Sequence, residues 1–201
     1  MLPKVHFLLL AAGASIRMGR IKQLLPWQKT SLLEHALKEA LNSKVNRVSL
    51  VLGANAETIL ERTDTSKANV LININWKIGI GSSIAYGIGE ILKKNPPDAL
   101  LISLADQPFV NTEYYDQMIA HYDSDEKTIV ASQYEDNIGT PALFGSAYFK
   151  SLCDLKGDEG AKSLILKFKD HLITLDGSEI HRDIDTMQDY YEAIENIKKR
   201  E

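Results

Sequence analysis

One cysteine, Cys153, stands among the 201 residues. An internal disulfide is therefore excluded, and so is a Cys-x-x-Cys metal site. Positive charge is also in short supply: 23 Lys and Arg face 27 Asp and Glu, a formal net charge of −4. That balance gives no electrostatic footing for a nucleic-acid groove or an anionic membrane surface. Long apolar runs are missing. The longest near the start, Phe7 to Gly13, is too short to span a membrane and lacks the charged front and cleavage site of a signal peptide. Aromatic residues make up only 7%. The five histidines, His6, His35, His121, His171 and His181, show no metal-ligand spacing and read as structural or solvated. What is present, 44% apolar residues in a chain of this length, suffices for one core burying roughly 70% of the unfolded surface. The expectation is a cytoplasmic, reducing-compartment protein forming a single domain over residues 1–201, with neither nucleic acid nor membrane as partner.

Two kinds of segment alternate along the chain. Val5–Leu10, Val48–Leu52, Ala68–Ile72, Ala99–Leu104 and Thr128–Ala131 are short apolar runs between turn or charged residues, and read as parallel strands buried on both faces. Ser31–Asn42, Ser82–Lys94 and Glu113–Tyr122 carry helical periodicity between them. This alternation predicts right-handed βαβ crossovers and an α/β fold, Rossmann-like and three-layered, with a mostly parallel sheet. After Ser132 the rhythm changes. A polar stretch, Gln133–Ile138, precedes apolar Pro141–Phe144; helices are expected over Ala147–Leu152 and Gly160–Lys169, and late strands over Ile173–Leu175 and Ile180–Ile184. Met187–Lys199 closes the chain as an amphipathic helix, its Lys198-Lys199-Arg200 end suiting the helix dipole. The last third is expected to add antiparallel strands to one edge of the sheet.

The sharpest local signal follows the first strand: Leu10-Ala11-Ala12-Gly13-Ala14-Ser15-Ile16-Arg17-Met18-Gly19-Arg20-Ile21-Lys22. Small residues let a ligand approach the backbone so that its N–H groups face phosphate oxygens, and Arg17 and Lys22 add positive charge. Ligands of open α/β sheets bind at this end of the strands. The string is neither a P-loop, since no Lys-Ser or Lys-Thr follows Gly19, nor a dinucleotide fingerprint, since Ser15 replaces the middle glycine. An ordinary strand-to-helix turn with surface cations is the competing reading.

Three later stations bear chemistry. In Asn75-Trp76-Lys77-Ile78-Gly79-Ile80-Gly81-Ser82-Ser83, glycines and serines free backbone N–H groups at a helix start, or Ser82 or Ser83 is simply the N-cap. Asp106, at the carboxyl end of an apolar strand, offers an oxygen ligand to a hard divalent cation or else caps the next turn. Asp183 and Asp185, on one face if their segment is a strand, would put two carboxylates side by side. Alternatively Asp185 or Thr186 caps the final helix, with Thr186-x-x-Asp189 at capping-box spacing.

Ala-Ala-Gly-x-Ser-x-Arg-Met-Gly-x-x-Lys followed by Leu24-Leu25-Pro26-Trp27 resembles the loop of the MobA-like NTP transferase family, the molybdopterin nucleotidyltransferases, and looks closest to the cytidylyltransferase branch. Gly79–Gly87, Leu104-Ala105-Asp106-Gln107-Pro108 and Asp183-Ile184-Asp185-Thr186 resemble further stations in the family's order. The resemblance implies a Mg²⁺-dependent nucleotidyltransferase that takes a nucleoside triphosphate, CTP over GTP, and joins it to a molybdopterin-type phosphate acceptor. It implies Arg17, Lys22 and Asp106 as catalytic; Leu10, Ala11, Ala12, Gly13, Asn75, Gly79 and Ser83 as nucleotide-binding; and Asp106 with Asp185 as metal ligands, Asp183 in reserve. The acceptor would fall to Gly139, Pro141, Asp158, Gly160 and Lys162, leaving about 1–110 to bind nucleotide. Two departures lie in that acceptor half: Thr140 stands for a histidine and Lys162 for an arginine, keeping charge but losing the planar fork. The same resemblance admits guanylyl transfer or a sugar or polyol phosphate acceptor, a recipient molybdoenzyme, or a non-catalytic carrier of the cofactor. An NAD-dependent dehydrogenase would want glycine at position 15 and an acid where Leu52-Gly53 stands.

Overall fold

The computed structural model describes residues 3–198 except 136 and 181. Its frame is a seven-stranded sheet. β1 (Val5–Ala11) lies at its centre, flanked by β4 (Arg47–Leu52) and β6 (Ala99–Leu104), both parallel to it. β5 (Asn69–Ile72) adds outside β4, again parallel. Beyond β6 come β8 (Asn137–Gly145), antiparallel to its neighbours, then β7 (Ile129–Tyr134) and β9 (Leu172–Asp176), parallel to each other. A two-stranded ribbon of β2 (Pro26–Trp27) and β3 (Thr30–Ser31) stands apart from the sheet.

Burial explains the pattern. All seven residues of β1 are buried. Val5, Phe7, Leu9 and Ala11 face one core, shared with α1 (Leu32–Asn42), α2 (Ala56–Arg62) and α4 (Thr112–Ala120). Leu8 and Leu10 face the other, shared with α3 (Ile80–Leu92), α5 (Phe149–Cys153) and α6 (Ala161–Lys167). A strand covered on both sides has no face for polar side chains, which is why it reads as an unbroken apolar run. Helix starts are set locally. Ser31 and Glu34 form a reciprocal capping box at α1, and Asn111 accepts from the Tyr114 N–H at α4.

The last helix, α7 (Met187–Lys198), is held by a third apolar cluster. Met18, Leu25, Trp27, Leu32, Ile184, Tyr190 and Ala193 meet there, and the Tyr190 hydroxyl donates to the Pro26 carbonyl at 2.7 Å. The helix begins on the expected box: the Thr186 N–H donates to Asp189 and the Asp189 N–H to Thr186 Oγ1.

One expectation needs correction, and one element was not foreseen. Ile180–Ile184 is not a strand: residue 180 ends a turn and 182–184 run without regular structure. Its apolar spacing comes from two unrelated anchors, Ile180 against the first core and buried Ile184 in the third cluster. α2 carries too few core residues, Ala56 and Ile59, to show a helical period in sequence. His181, Lys199 and Arg200 lie outside the described residues. No helix among the described residues is long and apolar enough to cross a membrane.

Candidate active site

β1 and β6 deliver their carboxyl ends to one cleft of about 400 Å³, and Trp76 and Lys77, from the segment between β5 and α3, line it too. Its floor is the loop after β1: Leu10, Ala11, Ala12, Gly13 and Ala14 line it, followed by Ser15, Ile16 and Arg17. Ser15 holds a left-handed backbone at φ +56, and Gly19 another at φ +62, so the chain doubles back to bring Lys22 beneath the loop. Gly79, Ile80 and Ser83, from the start of α3, form a second wall.

The charged end of the cleft is built from three separate parts of the chain. Lys22 Nζ donates to Asp106 Oδ2 at 2.5 Å, lies 3.4 Å from Asp185 Oδ1 and donates to the Ile184 carbonyl at 3.3 Å. Arg17 Nη2 donates to Asp185 Oδ2 at 2.9 Å. The pair at Asp106 is sheltered, with 16% and 17% of the two side chains exposed, whereas Arg17 is 70% exposed. Asp106 is fixed from behind, because its backbone carbonyl accepts the Ile184 N–H at 2.9 Å.

Electrostatics follow from that shelter. Burial, the largest influence, pushes the Asp106 carboxyl above the usual range, against the pull of Lys22. Burial works to lower Lys22, but Asp106 and Asp185 outweigh it and hold the ammonium above its ordinary value. Asp106 Oδ1 is buried with no hydrogen-bond partner. A bare carboxylate oxygen is costly unless something cationic or protic reaches it. Among the described residues no three His, Cys, Asp or Glu side chains converge on one point. The carboxylates at this end of the cleft are Asp106 and Asp185, both contacting Lys22, and carboxylate oxygens are the donors a hard dication takes alongside water and phosphate.

The other candidates expected from sequence fall elsewhere. Asp183 does not share a strand face with Asp185, since no strand exists there; its Oδ1 accepts Gln107 Nε2 at 2.9 Å, outside the cleft. Asn75 does not line the cleft, and its backbone N–H donates to Asn73 Oδ1. The start of α3 is partly taken up by the protein itself. Its N-cap is Gly79, not Ser82 or Ser83, and the Gly81 N–H is taken by the Gly157 carbonyl at 2.9 Å. A Cβ on Gly79, whose φ is +125, would sit 2.2 Å from that same carbonyl. The loop of Gly157, Asp158 and Gly160 is thus packed against the second wall. Gly160 caps α6, and Lys162 Nζ donates to Asn137 Oδ1 at 3.0 Å. Gly139 and Pro141 lie in β8, where the Pro141 carbonyl accepts Ser132 Oγ. None of the five acceptor candidates, Gly139, Pro141, Asp158, Gly160 and Lys162, lines the cleft itself.

Two residues that sequence reasoning passed over organise the site. Asn73, 2% exposed, donates to both Ser82 Oγ and Ser83 Oγ and so ties the end of β5 to α3. Gln23, 3% exposed, donates to the carbonyls of Ala11 and Gly13. Gln23 precedes Leu24-Leu25 and Asn73 stands between Ile72 and Ile74, a local polarity that does not say which groups each side chain reaches.

Residues 7–172 match the family described as MobA-like NTP transferase domain. Nicotine blue oxidoreductase of Paenarthrobacter nicotinovorans is 29% identical, over 96% of this chain and 98% of its own. Molybdenum cofactor cytidylyltransferase of Escherichia coli (strain K12) is 21% identical, over 95% of this chain and 96% of its own. The crystal structure of an Rv0371c homologue from Mycobacterium sp. strain JC1 superposes with a TM-score of 0.84 at 26% identity, covering 98% of both chains.

Proposed function

Because the chain belongs to the MobA-like NTP transferase family, and is thus a nucleotidyltransferase, we propose that it is a CTP:molybdopterin cytidylyltransferase dependent on Mg²⁺. A phosphate oxygen of the acceptor attacks the α-phosphorus of the nucleotide, the bond to the β-phosphate breaks, and pyrophosphate leaves. A phosphate monoester is already ionised near neutral pH, so the site needs alignment and charge more than a strong base. The observation that carries this reading is the sheltered Asp106–Lys22 pair with its unpartnered Oδ1, set at the lip of a small-residue loop.

Asp106 and Asp185 would hold Mg²⁺, which when bound supplies positive charge to the phosphate oxygens; Asp183 stays the reserve. Lys22 and Arg17 exchange their carboxylate partners for phosphate oxygens and steady the leaving pyrophosphate. Arg17, exposed, is the freer of the two. Leu10, Ala11, Ala12, Gly13, Gly79 and Ser83, which line the cleft, would bind the nucleotide. Gly139, Pro141, Asp158, Gly160 and Lys162 serve the acceptor, so that one domain divides its work at about residue 110. CTP, molybdopterin as acceptor, a molybdoenzyme receiving the product and a cytoplasmic setting all belong to this proposal. Its support is the relative named as a cytidylyltransferase together with Leu24–Trp27.

Calorimetric titration with CTP, GTP, ATP and NAD, each with and without Mg²⁺, tests it. Mg²⁺-dependent micromolar binding of CTP over GTP, followed by pyrophosphate release when molybdopterin is added, is the expected result. Preference for GTP changes the product and keeps the chemistry. Tight binding without pyrophosphate release favours a carrier. One relative bears an oxidoreductase's name, so binding of NAD in place of triphosphates overturns the proposal.

A further inference from the structure

We infer that Gln23 is a positioning residue that aims the backbone of the first loop at the nucleotide's phosphates; this rests on the functional reading above. Three consecutive loop carbonyls are taken up by the protein. Gln23 Nε2 donates to the Ala11 carbonyl at 2.9 Å and to the Gly13 carbonyl at 3.0 Å, and the Ala54 N–H donates to the Ala12 carbonyl at 3.1 Å. In a planar trans peptide the N–H of the next residue points opposite to the carbonyl. Holding the oxygens of 11 and 13 on Gln23 and that of 12 on the Ala54 N–H therefore fixes the direction of each opposing N–H, those of Ala12, Gly13 and Ala14, and these three residues and Gln23 all line the cleft. Gln23 alone sets two of these three directions.

The same side chain reaches the charged end. Ser15 Oγ donates to Gln23 Oε1 at 3.3 Å and accepts the Lys22 N–H at 3.2 Å. Loop floor and Lys22 backbone are thus held in one network. Gln23 is nearly inaccessible at 3% exposure, and an amide is the one uncharged side chain type with two donors on one nitrogen and an acceptor beside it. An apolar residue of equal size would fill the space and leave the Ala11 and Gly13 carbonyls free to rotate toward the cleft. There they would repel phosphate oxygens.

The test separates positioning from plain stability. CTP and GTP affinities are measured by calorimetry for the wild type, Gln23→Met, Gln23→Glu and Ser15→Ala, with melting temperatures for each. Affinity for the nucleoside alone, cytidine or guanosine, is measured by competition. The expected result is a folded Gln23→Met protein that binds the triphosphate at least about tenfold more weakly, with nucleoside affinity unchanged. Its Ala12–Ala14 amides exchange faster. Ser15→Ala, which keeps both donors, loses less. If Gln23→Met does not fold, Gln23→Glu is judged by the same criteria. Equal triphosphate binding by wild type and variant overturns the inference alone, as does a parallel loss of triphosphate and nucleoside. A wild type that binds no triphosphate overturns the functional reading and takes this inference with it.

Discussion

Asp106 has two oxygens with different fates. One is held by Lys22, and the other is buried with no partner. That asymmetry makes Asp106 and Lys22 the residues whose loss is expected to matter most. Lys22→Ala or Asp106→Ala should lower turnover by at least about a hundredfold, the scale of one preorganised charge contact, measured as pyrophosphate release at saturating nucleotide. A rate within a few-fold of wild type in either variant would remove the role given to it. Arg17→Ala should leave melting temperature nearly unchanged, because an exposed ion pair contributes well under ~1 kcal/mol. At this scale the sequence was legible wherever charge followed an apolar run, as at Asp106. It was opaque at Gln23 and Asn73. Their importance lies in which carbonyls and hydroxyls they reach, and contacts between Gln23 and the loop or Asn73 and α3 leave no periodicity to read.

Among the elements, α3 meets the loop before α6 closely. A Cβ at Gly81 would lie 2.7 Å from the Glu159 carbonyl and 3.0 Å from Lys156 backbone atoms. Those are backbone atoms of another segment and cannot swing aside as a side chain tip can. Gly81→Ala is therefore expected to destabilise the protein by about 1–3 kcal/mol, the range for overpacking a close contact. Urea unfolding reads this directly, and an unchanged midpoint would mean the loop yields. β1, β4, β6 and α1 were legible because each is long enough and uniformly buried or clearly striped. α2 and the segment 180–184 were not. Seven residues with two core positions show no period, and two isolated anchors four residues apart imitate one.

For the molecule as a whole, acid should weaken the fold through His6 on the central strand. Burial, with Arg47 adding to it, lowers the His6 pKa to about 4, and its ring is hydrogen-bonded to Ser49. The unfolded chain binds this proton below about pH 6.5, while the folded chain does not until about pH 4. Stability is thus full above about pH 6.5 and falls as pH drops toward 4, by at most about 3 kcal/mol from this group. His35, lowered mainly by burial, acts in the same direction. Urea midpoints at pH 7.5 and 5 should differ more for the wild type than for His6→Gln; equal differences would assign the acid sensitivity elsewhere. The mostly parallel α/β sheet was legible from the alternation of strand and helix patterns. The third apolar cluster was not, since Met18, Trp27, Ile184 and Tyr190 are scattered over most of the chain.

That cluster has a consequence for biosynthesis. Lys22 and Asp106 leave the ribosome well before Ile184, Asp185 and Tyr190, which close the cluster and supply the second carboxylate. Until they arrive, Leu25, Trp27 and Leu32 have no cover from α7, and a nascent or prematurely terminated chain displays them as a sticky patch. Completion of the charged site and concealment of that patch are one event. A product truncated before Ile184 therefore lacks Asp185 and leaves the patch open to chaperones and proteases, so the segment from Ile184 through α7 both closes the cluster and brings the second carboxylate to Lys22.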